Sequence, residues 1–262
     1  MRRVKSSVYD RKYFETDCGG YELWTTTYGR ILPPRLEYAW KIAEIKEGMK
    51  VLDWGCGRGE LSYWSAKVGA DVVGVDYSRD AISLCKKLPK DIAGSMEFVH
   101  HNQLSIPLPA CSVDRILFID VIEHLYPEQL AVLLKEFGRV LKKNGKIIIH
   151  TSPNLDYYNI GYPRYTRWAH KLVNPFWKII FKERLREERD PRFGYDKKVH
   201  INECSLAMVR EYLTKADLKP QVWYDSRWRM ARRRDKLRYI FFQPLWFSNK
   251  LFADDIWAVA SL

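Results

Sequence analysis

The feature that most constrains the fold is a glycine-rich turn in residues 51–60, which read VLDWGCGRGE. Val51 and Leu52 predict a short buried strand, and glycines follow at alternate positions from Gly55 to Gly59. Glycine is needed where the backbone takes a positive φ, or where a ligand approaches the chain with no Cβ in the way. A strand, such a turn and a helix N-terminus leave unpaired N–H groups facing a crevice. The stretch therefore predicts a site for a nucleotide-type ligand.

The residues around these glycines indicate which nucleotide is bound. A dinucleotide fingerprint reads G-x-G-x-x-G, but the third glycine position counted from Gly55 holds Glu60. Asp53 stands before the glycines and suits a positively charged group, such as the ammonium of an amino acid. A valine-rich second strand ends at Asp76, whose carboxylate can accept hydrogen bonds from both hydroxyls of a ribose. A sheet that merely needs a tight turn here, or a site for another nucleotide, is the alternative.

These residues resemble the class I S-adenosylmethionine (SAM)-dependent methyltransferases, among them the type 11 group. The resemblance implies an α/β fold with a Rossmann-like seven-stranded sheet, whose sixth and seventh strands form an antiparallel end, interrupted here by basic aromatic insertions. It also implies SAM as the cofactor. The residues that the resemblance assigns to SAM are Tyr13, Asp53, Gly55, Cys56, Gly57, Asp76, Tyr77, Asn102, Gln103 and Asp120. Asn102 stands where the family usually has Asp, and its carbonyl oxygen can accept the same hydrogen bond from adenine.

Four regions follow from this comparison. Residues 1–50 would form an N-terminal cap over the cofactor, and residues 51–150 the SAM-binding core. Residues 151–200 would be a lid over the substrate, and residues 201–262 would complete the sheet, with a basic aromatic insertion at 227–252. Within the cap, the segment 9–24 resembles the stretch that covers the cofactor in many relatives. A helix packed on the sheet edge is the alternative for that segment.

A fourth predicted strand ends in polar residues, and these are the catalytic candidates together with one later histidine. The run from Asp120 to Leu125, DVIEHL, resembles methyltransferases of ubiquinone biosynthesis and of sugar or polysaccharide precursors. In the ubiquinone group a similar segment is associated with a divalent metal, which would make Asp120, Glu123 and His124 a ligand set. We instead expect Glu123 and His124 to fix the loop without a metal. His200 is a candidate general base beside His124 and Asp120, or a helix cap.

The charge distribution indicates an anionic partner. The formal net charge is +12, yet residues 51–150 hold 12 basic and 12 acidic side chains, whereas residues 151–262 hold 22 and 13. The excess therefore belongs to the surroundings of the cofactor fold. In the insertion, residues 227–238 carry seven basic side chains and are followed by Phe241, Phe242 and Trp246. Such a run suits an anionic membrane surface, with nucleic acid or a solvated basic face as alternatives.

The resemblance, together with the basic aromatic insertions, implies O-methylation of a sugar, lipid-linked or quinone-like acceptor. An RNA-modifying enzyme and a SAM-binding protein without turnover remain the other two classes. Base N-methylation is disfavoured, because the fourth strand is followed by Asp120-Val121-Ile122-Glu123 and not by N/D-P-P-Y/F. The five cysteines show no C-x-x-C pairing, and no apolar stretch reaches the length of a membrane span. We therefore expect a cytoplasmic protein that can lie at the membrane surface.

Overall fold

A seven-stranded sheet organises the computed structural model, which describes residues 4–192, 194, 196–225 and 249–262. The strands are β1 Lys50–Trp54, β2 Asp71–Asp76, β3 Ser95–His100, β4 Val113–Ile119, β5 Leu141–Thr151, β6 Lys219–Tyr224 and β7 Ile256–Ser261. Their order is β3-β2-β1-β4-β5-β7-β6. Strands β1 to β5 are parallel, while β7 runs antiparallel to both β5 and β6. The predicted Rossmann-like sheet with an antiparallel end is confirmed.

The described helices flank this sheet or form its outer segments. They are α1 Tyr21–Thr27, α2 Pro34–Ala43, α3 Glu60–Lys67, α4 Arg79–Cys85, α5 Pro127–Val140, α6 Arg167–Phe181, α7 Asp196–Val199, α8 Leu206–Lys215 and α9 Asn249–Phe252. Two π-helical segments, Tyr13–Asp17 and Tyr157–Thr166, lie outside the sheet region. The start of α4 follows from its cap, because the Ser78 hydroxyl accepts a hydrogen bond from the Ala81 amide.

Both faces of the sheet are buried, as expected for parallel strands covered by helices. Ile116 and Phe118 of β4 pack toward α5 and α8, where they join Leu133 and Phe137. Leu117 between them packs on the opposite face, in the cluster formed with α2 and α3. Since successive strand side chains point to opposite faces, the continuous apolar run in β4 supplies both cores.

The sequence predicts a turn at 142–146 before the fifth strand and a sixth strand that starts at 221, and the structure differs from both expectations. The predicted turn at 142–146 lies inside β5, where the pairing with β4 jumps from Val113–Leu141 to Arg115–Lys146. The extra residues are accommodated as an irregularity in the ladder and do not end the strand. Strand β6 begins at Lys219, two residues before its predicted start at 221. Most of the predicted insertion at 227–252, including Phe241, Phe242 and Trp246, lies outside the described residues. None of the described helices combines the length and apolar content needed to cross a bilayer.

Candidate active site

A cavity of about 920 Å³ opens where β1, β2 and β4 end. This volume lies near the top of the range of about 300–1,000 Å³ that is usual for ligand sites. All the residues predicted for the cofactor and for catalysis line it: Tyr13, Asp53, Gly55, Cys56, Gly57, Asp76, Tyr77, Asn102, Gln103, Asp120, His124 and His200. The fold thus brings residues from position 13 to position 200 to one place, while their individual roles remain predictions.

The glycine turn is shaped by its neighbours and held by Asp76. Gly55 has φ +79°, and a Cβ there would lie 2.5 Å from Cγ2 of Val121. The Gly57 amide donates to Oδ2 of Asp76 over 3.0 Å, and the Ser78 amide donates to Oδ1 over 2.8 Å. Burial raises the pKa of Asp76 to about 6, although these amides favour the charged form. Each carboxylate oxygen keeps a further lone pair, which suits a ribose hydroxyl.

Asp53 is a buried carboxylate that accepts a 2.6 Å hydrogen bond from the Ser62 hydroxyl. Burial, with a smaller contribution from the nearby carboxylates of Glu60 and Asp76, raises its pKa to about 7. A cationic group beside Asp53 would restore its charged form, because an opposite charge lowers the pKa of a carboxyl. The ammonium of an amino-acid moiety would therefore suit this end of the cavity, and the role of Asp53 stays a prediction.

A strap, defined here as residues 9–19, lies over the glycine turn. The Phe14 ring is buried and reaches to 3.7 Å from the place a Cβ on Gly57 would occupy. The strap is tied to the core of the domain at Ser78, whose hydroxyl donates to the Tyr9 carbonyl over 2.6 Å. The segment carries a π-helical turn, and several of its residues line the cavity.

Arg58 is the main anchor of the strap, and sequence reasoning missed it. Its guanidinium donates to the carbonyls of Phe14 and Gly19 over 2.9 and 2.8 Å, and more weakly to that of Cys18 over 3.3 Å. It also forms a 2.8 Å ion pair with Glu60, and both side chains are buried. One feature of the sequence could have indicated this role. Arg58 and Glu60 are oppositely charged and lie among the glycines of a turn that otherwise needs small residues.

Asp120 belongs to a chain of charged groups in which Arg35 and Asp120 are partly exposed and His150 and Asp255 are buried. It has φ +57°, forms a 2.8 Å ion pair with Arg35, and accepts a hydrogen bond from Nδ1 of His150. The other ring nitrogen of His150 donates to Asp255 over 3.1 Å.

These pairings set the protonation states along the chain. Burial alone would raise the pKa of Asp120, but Arg35 and His150 outweigh it and lower that pKa to about 2. Burial disfavours a charged His150, yet Asp120 and Asp255 raise its pKa to about 9. Asp120 therefore lines the cavity as a paired anion and is a poor proton acceptor, which argues against a role as general base.

His200, His124 and Glu123 form the opposite wall of the cavity. The amides of Ile201 and Asn202 donate to the Glu123 carbonyl over 2.9 and 3.1 Å. This backbone pairing sets the His200 ring 5.0 Å from the His124 ring, measured between centroids. His124 and His200, which are 76 positions apart in the sequence, thus lie next to each other at the edge of the sheet.

The three groups have distinct protonation behaviour. Burial and the neighbouring His200 lower the pKa of His124 to about 3, so this ring is neutral. Burial raises the pKa of Glu123 to about 7, and the Asp120 charge adds to the shift. Burial opposes a charged His200, but Glu203, Glu123 and Asp196 outweigh it and raise the pKa above 6.5. Of the two histidines, only His200 is thus a strong proton acceptor.

The same three residues are the candidate metal ligands, and this set differs from the predicted one. The ligand atoms of Glu123, His124 and His200 lie within 4.8 Å of one another, whereas Asp120 faces Arg35 and His150. One oxygen and two nitrogens suit Zn²⁺ or Mn²⁺. Each residue already has a protein partner, however: the Thr151 hydroxyl donates to Glu123, His124 binds the Val199 carbonyl, and Glu203 lies 3.7 Å from His200.

Comparisons with known proteins agree with this architecture. Residues 52–149 match the methyltransferase domain family. The chain is 36% identical over 107 residues to the mitochondrial ubiquinone biosynthesis O-methyltransferase of Schizosaccharomyces pombe, covering 40% of this chain and 38% of that protein. It is 30% identical over 146 residues to the fatty-acid O-methyltransferase of Mycolicibacterium smegmatis, covering 54% and 48%. The chain thus spans less than half the length of these two relatives.

A solved structure extends the likeness to most of the fold. The SAM-dependent methyltransferase from Mesorhizobium loti superposes with a TM-score of 0.59 at 16% sequence identity, covering 87% of this chain and 97% of that one. This likeness shows the fold that class I SAM-dependent methyltransferases share, and the family match shows that residues 52–149 form a methyltransferase domain.

Proposed function

We propose that this protein transfers the methyl group of SAM to an oxygen atom of a sugar, lipid-linked or quinone-like acceptor. The observation that carries the proposal is the single cavity that joins the glycine turn and Asp76 on one side to His200 and His124 on the other. A cavity of this size has room for a cofactor and an acceptor side by side.

The cofactor would be held by residues that already fit its parts. Asp76 would accept from the ribose hydroxyls, Asn102 would contact the adenine, and Asp53 would receive the ammonium group. When bound there, SAM supplies an electrophilic methyl group on a sulfonium. The strap covers this end of the cavity with Phe14 and excludes water from it.

His200 is the residue we assign as general base. An acceptor hydroxyl must lose its proton as the oxygen attacks, and a positioned base contributes about 10²–10⁴-fold to such a step. His200 has carboxylates around it that strengthen it as a proton acceptor, with Glu203 Oε1 3.7 Å from Nδ1 and Asp196 Oδ1 4.0 Å from Nε2. His124 packs on it as a neutral ring and orients it. The remaining work of the site is to position the two reactants.

The relatives favour an apolar acceptor. The two curated proteins named above are O-methyltransferases, one of ubiquinone biosynthesis and one of fatty acids. Both acceptor types carry long hydrocarbon portions. An anionic membrane surface is the partner that suits such an acceptor and the basic surroundings of the cavity.

A methyl-transfer screen tests the proposal. The purified protein is incubated with methyl-labelled SAM and with lipid, glycan or RNA fractions, and the label is followed into each. We expect label in a lipid or glycan product, lost in His200→Gln without loss of SAM binding. His100→Gln, which replaces an exposed histidine outside the cavity lining, should keep full activity. Label found in RNA alone, or a His200→Gln variant with unchanged turnover, contradicts the assignment.

A further inference from the structure

Helix α6 presents an unusual row of large apolar side chains to solvent. We define the apolar stripe as Trp168, Leu172, Phe176, Ile179 and Ile180, which recur at helical spacing along α6. Leu172, Phe176 and Ile179 are 77%, 70% and 79% exposed. Single exposed apolar residues are ordinary, but a contiguous row of this size marks an interaction surface.

The opposite face of α6 is the one that attaches it to the protein. His170 donates to the Arg186 carbonyl over 2.7 Å, and Asn174 exchanges hydrogen bonds of 2.9 and 2.7 Å with Leu185. Trp177 is buried against Leu185 on this side. These contacts of the inner face fix the orientation of the helix. The apolar stripe on the other face therefore points to solvent.

A basic edge runs beside the stripe. Arg167, Lys171, Lys178 and Lys182 follow the same helical spacing, one step round the helix from Trp168 and Leu172. Lys171 Nζ lies 4.6 Å from the centre of the Trp168 ring, and Arg167 lies 5.4 Å from it. The described helix carries no acidic residue between Arg167 and Phe181. The surface is thus apolar along its crest and positive along one flank.

We infer that the apolar stripe of α6 seats the protein on an anionic lipid bilayer, with the helix lying in the plane of the interface. An in-plane helix of this kind has Trp, Phe and Leu on one face and Lys or Arg on the other. Lysine stems can lie along the apolar surface while their ammonium groups reach lipid phosphates. This inference rests on the proposed function. It adds the surface at which the protein would meet a lipid-linked acceptor.

The stripe is connected to the cavity through the segment that precedes α6. The π-helical segment Tyr157–Thr166 leads directly into α6. Its second residue, Tyr158, lines the cavity. On its other side this segment packs against α9, where the backbone of Leu251 approaches Gly161 so closely that a Cβ on the glycine would lie 1.6 Å from its carbonyl oxygen. Helix α6 is thus joined to the cavity through a segment that itself contributes a lining residue.

Vesicle binding by the full chain tests the inference. The probes are phosphatidylcholine vesicles with and without phosphatidylglycerol, and co-sedimentation is measured without acceptor. We expect binding that requires phosphatidylglycerol, and a fall in partitioning of about a hundredfold for the Leu172→Ser/Phe176→Ser double variant. Lys178→Gln/Lys182→Gln should weaken binding by about fivefold for each lysine and reduce the preference for anionic lipid.

A matched control separates membrane seating from a general loss of apolar surface. Ile31 and Val132 are also exposed apolar residues but lie on other segments, so Ile31→Ser/Val132→Ser should bind vesicles as the wild type does. SAM binding by calorimetry should be equal in all variants, which shows that they are folded and keeps this test separate from that of methyl transfer.

Three outcomes would overturn the inference. One is wild-type protein that ignores phosphatidylglycerol vesicles at low salt, and another is a stripe variant that binds them as well as wild type does. The third is a wild-type dimer that becomes monomeric in the Leu172→Ser/Phe176→Ser variant without any vesicle binding, which would make a second copy of the chain the occupant. If the protein ignores vesicles but still methylates a small acceptor, the docking surface fails and the proposed function stands.

Discussion

Replacement of Arg58 by alanine should both destabilise the fold and weaken cofactor binding. The guanidinium is buried, forms an ion pair with Glu60, and donates to three backbone carbonyls of the strap. Removal of one partner from a buried ion pair costs about 3–5 kcal/mol, because the other charge is left unpaired. Arg58→Ala should therefore lower the free energy of unfolding by about that amount, as measured by urea denaturation.

The strap also loses its anchor in this variant. Hydrogen bonds to a charged donor contribute about 1.5–3 kcal/mol each, so the strap should open and the Kd for SAM should rise by about tenfold or more. Arg30→Ala is the matched control, since it removes an arginine from an exposed ion pair with Asp91 and should change neither quantity.

A double variant separates the two effects. Arg58→Met/Glu60→Gln removes the unpaired buried charge, so it should recover part of the stability that Arg58→Ala loses. It should not recover SAM affinity, because the carbonyls of Phe14 and Gly19 still lack their donor. An Arg58→Ala variant as stable as wild type and with unchanged SAM affinity would refute the role of the anchor.

Four further predictions follow from the site. Asp76→Asn should weaken SAM binding by about 1.5–3 kcal/mol in calorimetry, while Asp71→Asn at the exposed start of the same strand should not; equal affinities would remove Asp76 from the cofactor site. The methyl-transfer rate should rise with pH through a midpoint above 6.5, because His200 must be neutral to accept a proton and its pKa is raised; Glu203→Gln should move that midpoint down, and an unmoved profile would exclude this pair. Activity should survive excess EDTA, and a loss that Zn²⁺ or Mn²⁺ restores would establish the metal set. The free energy of unfolding should fall by about 3 kcal/mol as pH rises from about 6.5 through about 9, because the pKa of His150 is raised in the folded state. His150→Gln should make the thermal unfolding temperature less dependent on pH over this range.

The contact between Asp120 and His150 makes a single contribution to the pH dependence of the free energy of unfolding. The lowered pKa of Asp120 reports the same contact with His150 and is not added to it. Its own contribution is present above the ordinary pKa of an aspartate and is lost only as pH falls toward about 2. Between about pH 4 and about pH 6.5 the charged pair therefore makes its full contribution to the free energy of unfolding.

The parts of the structure that could be predicted are those coded by local pattern. The glycines after Leu52, the strand that ends at Asp76 and the apolar spacing of α5 each depend on residues within a few positions of one another. Because the carboxyl ends of neighbouring parallel strands share one edge of the sheet, the strand ends also located the cavity. The twelve candidate residues meet there for that reason.

The parts that could not be predicted depend on distant partners. His150 lies in an apolar strand and gives no sign of Asp255, which is 105 residues away, or of Asp120. His200 replaces Asp120 beside Glu123 only because backbone pairing at Ile201 and Asn202 brings it there. The stripe of α6 was hidden by Pro175, since a proline inside a helix argues against that helix from sequence alone.

Calorimetric titration of the purified protein with SAM is the sharpest test of the cofactor assignment. We expect saturable binding at one site, reduced in Asp76→Asn and in Arg58→Ala, with NAD binding far more weakly or not at all. Tighter binding of NAD than of SAM, or SAM binding that is unaffected by either substitution, would contradict it.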